Sequence, residues 1–231
     1  MNVLKILVFL MINMPLAKGQ AAEALAGAWT REHHENQQVL EFTAKYWSFT
    51  EFNVENKTFI GTMGGSFGFN QGKFSYMLEY RTDNDSTNYN PLMDGITRMS
   101  SQKLKMGANT WNRLDDGTPG ALYGAWLITG RERDGEMITR KPGARKTMKI
   151  LSGTRFQWIA FNSETMEFRA TGGGTYTTRD GKYTEHIEFF SRDSSRVGAE
   201  LGFDYELKND EWHHSGKSSK GQPIYEVWSH R

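Results

Sequence analysis

The chain has 231 residues, a formal net charge of +1, no cysteine, 24 glycines and 13% aromatic residues. Balanced charge without a basic run excludes a typical nucleic-acid-binding surface, and the lack of cysteine excludes disulfide bonds and a lipid anchor on cysteine. Frequent aromatic residues and glycines are typical of β-structure with tight turns.

Residues 1–19 have the pattern of a signal peptide. Lys5 is followed by an apolar run from Ile6 to Leu16, and Ala17 and Gly19 supply small residues at a cleavage site. The run is too short to span a bilayer comfortably. The sequence therefore predicts an exported protein, periplasmic or secreted, with no membrane contact after cleavage; an uncleaved anchor is the alternative.

The first half of the mature chain reads as short strands joined by turns. After a strand around Trp29, the alternation of apolar and polar residues predicts strands at Val39–Phe42, Tyr46–Phe52, a hairpin within Thr62–Arg81, Ile96–Lys105 and Thr110–Arg113. The turn-rich segment Asp115–Gly120 follows and predicts a boundary near residue 116.

The second half predicts eight strands and no helix. They are Tyr123–Thr129, Lys146–Leu151, Arg155–Phe161, Glu167–Thr178, Lys182–Phe190, Glu200–Lys208, Glu211–His214 and Ile224–His230. Such a meander usually closes into an antiparallel barrel, which at eight strands is wide enough for side chains or one small ligand. Two packed sheets with a filled core are the alternative.

Asp180-Gly181 predicts a type I′ hairpin turn, because this turn needs positive φ at both central residues. The turn sets Tyr176 opposite Glu185. One face of the hairpin then carries Tyr176, Thr178, Tyr183, Glu185, Ile187 and Phe189.

The same hairpin occurs earlier at a constant offset of 109 residues. Val39–Tyr80 aligns with Met148–Phe189 without a gap, and 10 of the 42 pairs are identical. The pattern predicts an internal duplication. We therefore expect an all-β protein of two tandem antiparallel barrels, the first half at 20–116 and a more complete second half at 117–231. The segment around Trp126 could close the first barrel or open the second.

Gly27-Ala-Trp29 and Gly124-Ala-Trp126, each opening a strand meander, resemble the lipocalin signature. The second half also resembles secreted lipocalin-like proteins of Bacteroidetes, many of them domains of unknown function, through Gly172–Tyr176, Gly181–Glu185, Trp212 to Gly216 and Glu226-Val-Trp228. The resemblance implies a barrel with a pocket but no particular ligand. It also implies an Arg on the last strand over the first-strand Trp; Arg231 is the terminal residue here.

Comparison of the halves singles out Glu185. The equivalent face of the first half carries Phe67, Phe69, Phe74, Tyr76, Leu78 and Tyr80, which would form a large exposed apolar surface unless buried. Glu185 occupies the position of Tyr76 and is therefore expected inside the barrel. On the last strand, Glu226 shares a face with Trp228. Two inward carboxylates could act as acid and base or bind hydroxyl groups. The alternative is that each one is only a structural hydrogen-bond acceptor.

We expect a binding site for a small amphipathic or carbohydrate-like ligand in the second half, while the first half is a filled scaffold. Its candidate residues are Trp158, Tyr176, Tyr183, Glu185, His214, Glu226 and Trp228. The aromatic members alone are equally compatible with core packing. The alternatives are an enzyme (a lyase, an isomerase or a glycoside-active protein) that uses Glu185 and Glu226 as acid and base, and a structural protein with filled barrels.

The six histidines do not predict a metal site, because adjacent histidines on a strand face opposite sides. His214 shares a face with Trp212 and is expected inside, whereas His186 is expected in solvent. No cofactor or nucleic-acid partner is predicted, and the sequence sets no oligomeric state.

Overall fold

A computed structural model describes residues 18–70, 73–82, 95–218 and 220–231. Residues 1–17 of the predicted signal peptide lie outside this range, as does the side chain of Phe69. Within the described part of the chain, no helix is long and apolar enough to cross a membrane.

The protein is all-β. The first half contains β1 (Gly27–His33), β2 (Asn36–Phe42), β3 (Tyr46–Asn53), β4 (Thr58–Asn70), β5 (Lys73–Arg81), β6 (Ile96–Met99), β7 (Lys103–Met106) and β8 (Asn109–Asp115). The second half contains β9 (Gly124–Arg133), β10 (Glu136–Thr139), β11 (Arg145–Leu151), β12 (Arg155–Asn162), β13 (Glu167–Arg179), β14 (Lys182–Phe190), β15 (Glu200–Lys208), β16 (Glu211–Lys217) and β17 (Pro223–His230).

Three elements differ from the sequence expectation. A helix, α1 (Lys18–Leu25), precedes β1; it is too short to show a helical period in the sequence. The single strand expected at Ile96–Lys105 is two strands, because Ser100 makes a turn in which the Lys103 amide donates to its Oγ. The additional strand β10 pairs with β9 around Asp134-Gly135, where both residues have positive φ, the same turn signal as in the main hairpin.

The second half contains a closed antiparallel barrel of eight strands. Pairing runs from β9 through β11, β12, β13, β14, β15 and β16 to β17, and β17 returns to β9 with Trp228 opposite Ile128. The segment around Trp126 therefore opens the second barrel. In the first half, antiparallel pairing runs from β6 through β7, β8, β1, β2, β3 and β4 to β5.

The predicted hairpin register is confirmed. Asp180 and Gly181 have φ of 49° and 73°, and Tyr176 lies opposite Glu185. Beyond Ile187, however, the register shifts: Gly174 faces Ile187 and Gly173 faces Phe189, so Glu188 is an extra residue in a β-bulge. The prediction that Phe189 shares the inner face of Ile187 is therefore wrong. The same shift separates Leu78 from Tyr80 in β5, so Tyr80 also leaves its predicted face.

The two bulges direct aromatic rings to a surface shared by the halves, which we call the seam. Phe189 packs on Phe52, with ring centroids 4.8 Å apart, and Tyr80 packs on Phe161 at 4.9 Å. Between the halves, the buried Gln157 amide donates to Thr62 Oγ1 at 2.9 Å, and within its own half it donates to Thr171 Oγ1 at 3.0 Å. The seam thus combines ring packing with hydrogen bonds between buried groups.

Each half begins with the same tryptophan anchor. Trp29 Nε1 donates to the Leu25 carbonyl at 3.0 Å, and Trp126 Nε1 donates to the Leu122 carbonyl at 2.9 Å. Arg113 on β8 covers Trp29, whereas His230 on β17 stacks on Trp126. Arg231 instead lies over Tyr46, so it does not cover the first-strand tryptophan of its own half. Together with barrel closure, these anchors fit a lipocalin-like fold.

Candidate functional site

A partly open cavity of about 220 Å³ reaches into the closed barrel. Four ionisable side chains from different strands reach its wall: Lys149 on β11, Glu185 on β14, His214 on β16 and Glu226 on β17. The rest of the wall includes the aromatic residues Trp158, Phe190, Phe203 and Trp228. A mostly apolar wall with a few convergent polar groups is the usual make-up of a small-molecule site.

Lys149 and Glu185 form a buried ion pair. Lys149 Nζ donates to Glu185 Oε1 at 2.9 Å, and each side chain is only 6% exposed. Desolvating two charges is costly, and their attraction offsets that cost only in good geometry. The pair is therefore a constraint on both side chains, which come from two strands that are not paired with each other, rather than a surface contact that forms and breaks freely.

Aromatic rings surround the Lys149 ammonium group. Its Nζ lies 4.9 Å from the ring centroids of both Tyr183 and Trp212, and 5.3 Å from that of Trp228. These distances permit cation–π attraction, which is strongest where water is excluded. The rings and Glu185 together keep a cation inside the barrel.

His214 and Glu226 form the second polar pair. Nδ1 of His214 lies 3.5 Å from Glu226 Oε2, and the His214 side chain is 2% exposed. Burial lowers the pKa of His214, and the Lys149 charge lowers it further, against the opposing effect of Glu226. Burial alone would raise the pKa of Glu226, but His214, Lys149 and Arg131 outweigh it and lower that pKa. At neutral pH, His214 is therefore a neutral imidazole beside the charged carboxylate of Glu226.

Hydrogen-bonding capacity is left over in this region. Within the described residues, both ring nitrogens of His214 and the indole N–H groups of Trp212 and Trp228 are buried and make no hydrogen bond. Buried polar groups are usually satisfied, and each exception needs an explanation. Since His214 and Trp228 line the cavity, a ligand there could supply the missing partners.

Five of the seven predicted binding residues line this cavity: Trp158, Glu185, His214, Glu226 and Trp228. Tyr183 packs under Lys149 instead, and burial raises its pKa well above the ordinary value. Tyr176 does not line the cavity, because its hydroxyl donates to the Ser152 carbonyl at 2.7 Å in the turn between β11 and β12. The binding role of Tyr176 stays a prediction. His186 lies in solvent beside Glu200, as expected.

Glu185 and Glu226, the expected acid and base, both line this cavity. Each carboxylate has its own partner there, Lys149 for Glu185 and His214 for Glu226.

Lys149 is the residue that sequence analysis missed. It lies between Met148 and Ile150 in a strand that reads as apolar. The comparison that identified Glu185 also identifies Lys149, because at the same offset of 109 it aligns with Leu40. A lysine at an interior position of a barrel strand is a stronger signal than any single aromatic residue, since lysine is almost never fully buried unpaired.

The first half places other side chains at the corresponding positions. Leu40 and Tyr76 correspond to Lys149 and Glu185 by the offset of 109. The counterparts of His214 and Glu226 follow from strand pairing. Met106 lies opposite Asn109 in the first half, as His214 lies opposite Glu226 in the second. A tryptophan follows two residues after Asn109 (Trp111) and two residues after Glu226 (Trp228). Leu40 and Met106 belong to the core of the first half, and Tyr76 packs against that core. The fold therefore forms with uncharged side chains at all four positions.

The first half also has a concavity, of about 1070 Å³, but none of its lining residues belongs to the core of that half. It is an open groove over the turns that follow β1 and β3. Polar side chains close the adjacent end of the core: Gln38 Nε2 donates to Glu51 Oε2 at 2.8 Å, and Arg31 Nε donates to Gln38 Oε1 at 2.6 Å.

The donor set does not suit a metal ion. Within the described residues, no group of three or more histidine, aspartate or glutamate side chains is placed to hold one. Lys149 in the centre of the cluster also opposes a cation.

Residues 121–230 are similar to a protein family described as a domain of unknown function (DUF4488). This range begins just before β9 and ends with β17, so it coincides with the closed barrel and contains all four ionisable residues of the cavity. No curated protein matches the chain.

Proposed function

We propose that this protein is an exported binding protein whose second half, residues 117–231, holds one small amphipathic or carbohydrate-like ligand inside a lipocalin-like barrel. The first half, residues 20–116, is a related barrel in tandem that acts as a scaffold. The signal-peptide pattern of residues 1–19 supports export, and the ten identities at a constant offset support duplication.

One observation carries the proposal: Lys149, Glu185, His214 and Glu226 line the cavity of the second half, whereas the corresponding positions of the first half hold the uncharged residues Leu40, Tyr76, Met106 and Asn109. Buried charges lower stability unless they are well paired, and a barrel of this type does not need them. Their presence beside a cavity therefore points to a ligand.

The cavity sets the size of the ligand. A cavity of about 150 Å³ holds benzene, so 220 Å³ admits a molecule of one substituted ring or a short chain. The aromatic wall suits an apolar ring face. Carboxylates accept hydrogen bonds, while Lys149 and the Trp228 N–H donate them, and hydroxyl groups are the ligand groups that match both.

Charge favours a neutral ligand. A carboxylate ligand would meet Glu226, and an amine would meet Lys149. Glu226 Oε1 also lies 3.8 Å from Nε of the half-exposed Arg131, which balances the remaining negative charge. A neutral, hydroxylated ring compound fits these conditions best.

The proposal is tested with a variant that copies the first half: Lys149→Leu, Glu185→Tyr, His214→Met and Glu226→Asn together. We expect this variant to fold, because each side chain stands at the matching position of the first half, and to lose binding in calorimetric titrations with small neutral sugars and cyclic polyols. The control is Lys182→Leu, which removes an exposed lysine paired with Asp204. Native mass spectrometry of protein purified from its own host would identify a retained molecule. Binding that survives in the fourfold variant would contradict the proposal.

A further inference from the structure

The two polar pairs in the cavity are not equivalent. Glu185 holds a cation, and Glu226 faces an imidazole. Glu226 Oε2 lies 3.5 Å from Nδ1, outside hydrogen-bond geometry in this structure, but its negative charge favours the tautomer with the proton on Nδ1 and a free lone pair on Nε2. Within the described residues that nitrogen is buried and has no hydrogen-bond partner. His214 thus has the arrangement of a general base, oriented by a carboxylate behind it.

Lys149 supplies the complementary group. Its ammonium is fixed by Glu185 at 2.9 Å and by the rings of Tyr183 and Trp212, so its position does not depend on a ligand. A fixed cation in a site from which water is largely excluded stabilises negative charge that develops on an oxygen atom. The pair His214 and Lys149 therefore combines a proton acceptor with an oxyanion-stabilising cation on one cavity wall.

We propose that the cavity catalyses proton transfer at the carbon next to a carbonyl group, in a small hydroxy aldehyde or hydroxy ketone. His214 is the base, and Lys149 stabilises the enolate oxygen. Glu226 and Glu185 are positioning residues that act through His214 and Lys149. This inference rests on the proposed function, because the same cavity must admit the hydroxylated molecule.

The step balances without a further reactant. His214 Nε2 takes the proton from the carbon, the C–H electrons form the carbon–carbon double bond, and the carbonyl electrons move to the oxygen beside Lys149. Return of the proton to the same carbon regenerates the starting compound. Return to the neighbouring carbon, with a proton moving from one oxygen to the other, converts an aldose to a ketose or the reverse.

The first measurement is deuterium incorporation from D₂O, followed by NMR, with dihydroxyacetone, glyceraldehyde and aldoses of four to six carbons as probes. We expect the protein to accelerate exchange at the carbon next to the carbonyl group above the buffer rate. His214→Met should lower the rate about 100-fold or more. This variant keeps the fold, because Met106 stands at the matching position of the first half.

His213→Gln is the matched control. His213 is the neighbour of His214 in β16 but lies on the opposite face, with its Nδ1 2.8 Å from the Tyr225 hydroxyl. We expect its exchange rate to equal that of the wild type. Glu226→Gln tests positioning separately: removing the Glu226 charge lowers the pKa of His214, so the acid limb of the rate profile should move to lower pH. A merely structural role would lower the rate without moving that limb.

The outcomes separate this inference from the proposed function. Saturable binding without accelerated exchange overturns the catalytic inference and leaves the binding function in place. Exchange that survives His214→Met overturns the assignment of the base. If no probe shows either binding or exchange, both proposals are overturned for this class of molecule.

Discussion

Phe59 and Phe168 occupy the same position in the two halves, 109 residues apart, and they stack on each other with ring centroids 5.9 Å apart. A contact between a residue and its own counterpart is the kind that a two-fold axis produces. The contact of Phe52 with Phe189 and the contact of Phe161 with Tyr80 also correspond to each other by the offset of 109. The halves therefore meet through one surface used twice.

The stacking of Phe59 and Phe168 should be measurable as a coupling energy. In a double-mutant cycle with Phe59→Ala and Phe168→Ala, urea unfolding should give a coupling of about 0.5–1.5 kcal/mol. The control cycle pairs Phe168→Ala with Phe67→Ala, which lies in the core of the first half and should be additive. Additive behaviour of Phe59 and Phe168 would show that the seam is not closed in solution.

Breaking the ion pair in the barrel should cost more than replacing it. Lys149→Leu alone leaves Glu185 charged and buried, at a cost of about 3–5 kcal/mol. The double variant Lys149→Leu with Glu185→Tyr, which copies Leu40 and Tyr76, should recover most of that loss. Chemical unfolding of the wild type, both single variants and the double variant measures the difference. A double variant no more stable than Lys149→Leu would contradict the comparison between halves.

Glu41 should make stability depend on pH. Burial raises its pKa from 4.5 to about 8, against the lowering effect of Arg155, and its Oε2 has no hydrogen-bond partner among the described residues. The folded state therefore holds a proton that the unfolded state releases. This contribution is complete below about pH 4.5 and is lost as the pH rises to about 8. Glu41→Gln should match the wild type near pH 4.5 and exceed it in stability at pH 8.5. If the stability of the two proteins depended on pH in the same way, Glu41 would not be the group responsible for the pH dependence.

The bulge of β14 should require glycine at position 174. Gly174 has φ of +158°, and a Cβ there would lie 2.0 Å from the His186 carbonyl oxygen. Gly174→Ala should therefore lose about 2 kcal/mol or more, because the backbone itself must move. Gly202→Ala is the control, since no atom lies within 4 Å of its added Cβ. Thermal unfolding that ranks the two substitutions equally would contradict the strained geometry.

The sequence predicted strand positions and the hairpin register because local chemistry sets both. Asp180-Gly181 fixes the pairing of β13 with β14, and alternation fixes the faces up to Ile187. The bulge escaped that reasoning because a period of two does not reveal one extra residue. Gly173-Gly174 was the available signal, since glycine inside a strand often marks a bulge.

The candidate site was only partly predictable for a related reason. The alternation of side chains along a strand predicts which face of the sheet each one lies on, and it correctly placed Glu185 and His214 inside the barrel. It does not give depth along the barrel, so Tyr176 was grouped with residues that lie around the cavity. The alternation also does not reveal partners: Lys149 reaches Glu185 from a strand that is not its neighbour, and only the closed barrel brings the two together.

The bulge at Glu188 has a consequence for how such a protein can change over time. On one strand, Glu185 and Ile187 contact the cavity, whereas Phe189 holds the other half. One inserted residue thus turns Phe189 toward the other half, while the next residue, Phe190, again lines the cavity. Substitutions before the bulge can convert a filled interior into a charged cavity without disturbing the assembly of the two halves. The molecule can acquire new chemistry in one half while the other preserves its architecture.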